Sequence, residues 1–72
     1  MEDVAYDILA LVKKKMVEQG GYGRDAYKQF INETIDYFVE KGKLTDDDNV
    51  EFIKDRLMGM YDDVSEEFVD KL

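Results

Sequence analysis

The residues of this chain that could do chemistry are carboxylates. The sequence holds 18 Asp and Glu, no His and no Cys. The commonest general base is therefore missing, and so is every thiolate ligand. Ser65 is the only serine, and without a histidine it has no usual base to activate it as a nucleophile. What remains is oxygen ligation of a divalent cation. Glu33-x-x-Asp36 and Glu66-Glu67-x-x-Asp70 set acids three and four residues apart, a spacing that shares one face of a helix. Four such acids from two helices would hold Mg²⁺. The run Asp46-Asp47-Asp48 does not extend to a calcium loop. No register places acids at the first, third and fifth positions with Gly at the sixth and Glu at the twelfth. It reads better as the acidic first turn of a helix, where the dipole favours negative charge.

The two carboxylate segments resemble those of the all-α nucleoside triphosphate pyrophosphohydrolases, which use a Glu-Glu-x-x-Glu segment followed by a Glu-x-x-Asp segment. That resemblance implies a Mg²⁺-dependent nucleotide hydrolase. Here the order is reversed, the Glu-Glu segment ends in Asp70, and the chain is shorter. Glu33 and Asp36 also fall on a strip that helical phasing assigns to solvent. The resemblance covers only the two short segments, so the hydrolase is the lesser alternative. The chain is read as a non-enzyme with no cofactor and no metal site.

Those acids have to be positioned by helices. With no Pro, 44% apolar and 12% aromatic residues, the composition favours an ordered all-α chain, and 72 residues suit one small domain. No apolar run approaches the ~18 residues of a membrane span. The opening Glu2-Asp3 is unlike the basic start of a signal peptide, so an intracellular, cytoplasmic protein is expected. The net charge is -8, and it is unevenly spread. Residues 45–72 carry ten acids against three bases, and residues 1–44 eight against seven. Such a surface repels phosphate backbones and anionic membranes, so neither nucleic acid nor membrane is expected as a direct partner. A basic protein is the complementary one.

Periodicity predicts helices over about 2–18, 25–41 and 46–71. In the first, Val4, Ala5, Ile8, Leu9, Leu11, Val12 and Met16 form the stripe, while Tyr6, Ala10 and Val17 form a weaker second strip. Lys13, Lys14 and Lys15 near its end read as a solvated helix terminus. Gly20, Gly21 and Gly23 read as a turn rather than a phosphate cradle, because no strand precedes them and the P-loop Lys-Ser/Thr is missing. The second helix has an apolar arc wider than half its circumference, from Ala26 to Val39 and including Thr34 and Tyr37. It is expected at the centre of the fold, ending at Gly42. Thr45 is the expected N-cap of the third helix. In that helix Val50, Ile53, Leu57, Met60 or Tyr61, Val64, Phe68 and Leu72 keep one phase, so one long helix is preferred, with a kink or break near 59–64 left open. A short fourth helix from Val64 is the alternative.

A continuous third helix would be ~39 Å long against ~25 Å for the others. Its overhang would leave Val64, Phe68 and Leu72 uncovered. A three-helix (alternatively four-helix) bundle that dimerises is therefore expected, with Val64, Phe68, Leu72, Tyr6 and Val17 as the self-association face. Phe52, near Arg56, is a further exposed candidate. The carboxylates Asp55, Asp62, Asp63, Glu66, Glu67 and Asp70 form the candidate partner face. Like-charge pairs four residues apart, such as Asp62–Glu66, each cost about 0.2–0.5 kcal/mol, and either solubility or a binding role accounts for them. The functional expectation is an acidic protein-interaction module (regulator, adaptor or subunit) acting through helix faces. The alternative is an acidic nucleic-acid mimic filling a basic groove of a DNA-binding protein.

Overall fold

The computed structural model describes residues 4–45 and 49–68. Among these residues there are four helices and no strand: α1 (Val4–Gln19), α2 (Arg24–Glu40), α3 (Val50–Gly59) and α4 (Tyr61–Glu67). None of them is long and apolar enough to cross a membrane.

The first two helices follow directly from their periodicity. α1 buries Ala5, Ile8, Leu9, Val12 and Met16, the predicted stripe. After Gln19 the chain turns, and the Gly21 N–H donates back to the Met16 carbonyl at 3.1 Å. Gly21 is also needed for close approach. A Cβ there would stand 3.1 Å from the Ala26 Cβ and 3.3 Å from the Phe30 ring, so a side chain would push α2 away from the loop. α2 ends in a Schellman turn. Gly42 takes φ +74°, and Lys43 N–H reaches the Phe38 carbonyl at 2.8 Å. This turn drops Leu44 into the core. α2 packs against both α1 and α3. Its buried arc is narrower than expected, running through Tyr27, Phe30, Ile31, Thr34, Ile35 and Phe38, while Tyr37 and Val39 stay exposed.

The third helix is where the structure departs from the sequence reading. It starts at Val50 with Asn49 as its N-cap, not Thr45. Asn49 sits in the left-handed region (φ 33°) and its side chain accepts from the Phe52 N–H at 3.2 Å. Asn tolerates this backbone because its short side chain bonds locally. Asp46, Asp47 and Asp48 lie outside the described residues.

The long continuous helix does not form. The α-helical run stops at Gly59 and resumes at Tyr61, within the 59–64 stretch and three residues before the alternative start at Val64. Aromatic contacts bracket the break on both sides. The Tyr27 hydroxyl on α2 donates to the Leu57 carbonyl in a buried bond, which fixes the end of α3. The Tyr61 hydroxyl donates to the Tyr22 carbonyl at 3.0 Å, and the Tyr27 and Tyr61 rings lie 5.2 Å apart. Tyr22 in turn packs its ring against Phe68, centroids 5.3 Å apart and tilted by 46°. Together these contacts draw α4 onto the loop between α1 and α2.

The uncovered overhang is thereby corrected. Val64 is 2% exposed and Phe68 6%, both inside this chain's own core. They are not available as a self-association face, and the length mismatch no longer calls for a second chain. Leu72 lies outside the described residues.

Candidate interaction surface and cleft

The carboxylates that would make a cation site are placed apart. Glu33 reaches Lys15 on α1 at 3.8 Å, whereas Glu67 pairs with Lys13 at 2.7 Å. Two residues along a helix turn by about 200°, so Lys13 and Lys15 point to opposite sides of α1 and take their partners with them. Glu66 and Asp36 are exposed. Among the described residues no three such side chains converge. Asp70 lies outside them.

The predicted acidic face is also divided. Asp55 lines a groove between α2 and α3 beside Lys28 and Lys54. Asp63 and Glu67 line a different groove, between α1 and α4. Asp62 and Glu66 are exposed to solvent.

On the α1–α3 side two aromatic residues stand out, Tyr6 at 57% and Phe52 at 62% exposure. The Arg56 guanidinium lies 5.7 Å from the centre of the Tyr6 ring. Phe52 precedes Arg56 by four residues and so shares its helix face. The α1–α4 groove, about 200 Å³ in volume, has Tyr6 at its edge. Leu9, Met60 and Val64 give it an apolar lining, and Lys13, Asp63 and Glu67 a charged one. Val17, also exposed, follows Tyr6 by eleven residues, about three turns, and continues the same strip of α1 past Ala10.

A second feature was not legible in the sequence. A cleft of about 290 Å³ lies between α1 and α2, lined by Leu11, Lys14, Lys15, Glu18, Glu33, Thr34 and Tyr37. Thr34 is 1% exposed, and its Oγ1 has no hydrogen-bond partner among the described residues. The only signal in the sequence was a hydroxyl-bearing residue inside an otherwise apolar arc. Tyr27, by contrast, is buried with its hydroxyl bonded. Burial pushes its phenol up to about 12 from 10.0, because the ionised form loses its hydration.

No protein-family model, no curated protein and no solved structure matches this chain.

Proposed function

We propose that the four helices form a small bundle that serves as an acidic protein-interaction module, without catalysis of its own, and engages a basic protein partner along the α1–α3–α4 seam. The observation that carries this reading is the Tyr6–Arg56–Phe52 patch: an exposed tyrosine ring under a guanidinium, with exposed Phe52 on the same helix face as Arg56. Tyr and Arg dominate interface hot spots, and aromatic residues are enriched in interface cores. The adjoining groove offers apolar Leu9 and Met60 between the carboxylates Asp63 and Glu67. An amphipathic helix with basic residues beside its apolar face complements both features. The overall charge of -8 adds steering toward such a partner and away from phosphate backbones and anionic membranes. A chain with this surface suits the cytoplasm.

The test is a titration of a fluorescently labelled basic amphipathic peptide by the full chain, read by anisotropy. Phe52→Ala and Tyr6→Ala should each weaken binding by about tenfold, the 1.4 kcal/mol expected of a hot-spot side chain. Both residues are exposed, so the helical circular dichroism should not change. Equal affinity for wild type and both variants would remove this surface from the proposal.

A second reading is self-association. It rests on the exposed strip of Tyr6, Ala10 and Val17 along α1, where small Ala10 permits close approach of a second helix. Light scattering of wild type and Val17→Asp separates the two. A dimer that the substitution dissociates supports the homodimer, whereas a monomer in both leaves the strip free for a different partner.

A further inference from the structure

We propose that the cleft between α1 and α2 is a binding site for a small amphiphilic carboxylate, held at its head by Thr34 and Lys14 and along its apolar body by Leu11 and Tyr37. This site lies apart from the proposed partner surface and does not depend on it.

The starting point is Thr34. Thr34 lines the cleft and is almost fully buried, and its hydroxyl has no partner among the described residues. A hydroxyl in that position keeps a donor that folding has removed from water, and a ligand oxygen entering the cleft can accept from it. The charges around it decide which oxygen. Lys15 lies 3.8 Å from Glu33, and the other oxygen of Glu33 accepts from the Gln29 amide at 3.0 Å. Those two charges therefore partly offset each other. Lys14 also lines the cleft and makes no ion pair among the described residues, so one ammonium is left for an anionic head.

The same lining sets an upper limit on ligand charge. Glu18 and Glu33 stand beside the two lysines, so a phosphate dianion would meet about twice the repulsion from them that a single carboxylate meets. Leu11 and the Tyr37 ring supply an apolar surface for the remainder of the molecule. The volume of about 290 Å³ falls at the lower end of small-molecule sites, which suits an aromatic or short-chain acid.

The experiment is a chemical-shift titration of the ¹⁵N-labelled full chain with sodium benzoate, at ionic strength held constant with sodium chloride. Benzyl alcohol serves as the neutral probe of the same shape. Benzoate should give saturable shifts confined to the amides near Leu11, Lys14, Thr34 and Tyr37, with benzyl alcohol weaker by about tenfold. Thr34→Val keeps the side-chain shape, and Lys14→Gln is a surface change. Each should weaken benzoate binding by about tenfold while leaving the remaining amide shifts in place. Shifts that do not saturate, that scatter over the surface or that benzyl alcohol reproduces would overturn the assignment. So would unaltered benzoate affinity in either variant.

Discussion

Thr34 and Tyr27 show two outcomes for a polar group in the same helix core. The Tyr27 hydroxyl reaches the Leu57 carbonyl; the Thr34 hydroxyl reaches nothing among the described residues. An unsatisfied buried hydroxyl costs about 1–3 kcal/mol, so Thr34→Val should stabilise the free chain by about 1 kcal/mol. For a domain of this size that is roughly 4–8 °C in Tm, measurable by thermal denaturation. A lower Tm would mean that the hydroxyl has a partner after all. Tyr27 is predicted through its ionisation. Its folded-state value is raised from 10.0 to about 12, so the folded chain holds a proton that the unfolded chain releases. Its contribution is fully present below pH 10.0 and is lost as pH rises through about 12. Urea denaturation over that window should show wild type losing stability more steeply than Tyr27→Phe. The variant should also start lower by about 1 kcal/mol at neutral pH, having lost the bond to Leu57. Parallel pH profiles would rule out Tyr27 as the titrating group.

At the scale of the elements, the break between α3 and α4 has two candidate causes, Gly59 and the tyrosine anchors. Nothing lies within 4 Å of a Cβ built at Gly59, and its backbone does not take a positive φ. Gly59→Ala should therefore stabilise α3 by up to about 1 kcal/mol and leave the break in place, since Tyr27 and Tyr61 hold both sides of it. Fusion of α3 and α4, visible as continuous helical amide contacts through Met60 and Tyr61, would make the glycine the cause. This element also marks the limit of what the sequence could reveal. The end of α1 and both ends of α2 were legible to within about one residue, because a local stripe and a C-terminal glycine are local signals. The break was not. Val50, Ile53, Leu57, Val64 and Phe68 keep the same phase whether the helix runs on or turns onto the loop. The choice is made by Tyr22 and Tyr27, some 30 to 39 residues earlier. The same non-local contacts buried Val64 and Phe68 and took those two residues out of the expected dimer face. Tyr6, Val17 and Phe52 stayed outside because they lay off the stripe, which is why they could be picked from the sequence.

For the whole molecule the question is whether the acidic C-terminal half acts in binding or only keeps the chain dispersed. The α4 carboxylates allow this to be tested with little effect on folding. Replacing Asp62, Asp63, Glu66 and Glu67 by Asn and Gln removes two repulsive pairs worth about 0.2–0.5 kcal/mol each. It also removes the half-exposed Lys13–Glu67 bridge, a class worth about 0–1 kcal/mol, and the favourable first-turn placement of Asp62 and Asp63. These effects oppose one another, so the net change in stability should stay within about 1 kcal/mol. A change in binding is then attributable to charge. At low salt the quadruple variant should bind the basic amphipathic peptide about tenfold more weakly than wild type. The difference should vanish near 1 M salt, where the screening length falls to about 3 Å. What survives there is the apolar share carried by Tyr6 and Phe52, and it should be equal in both proteins. Equal affinity at low salt would leave the acids with solubility as their role, and the aromatic patch alone would define the partner.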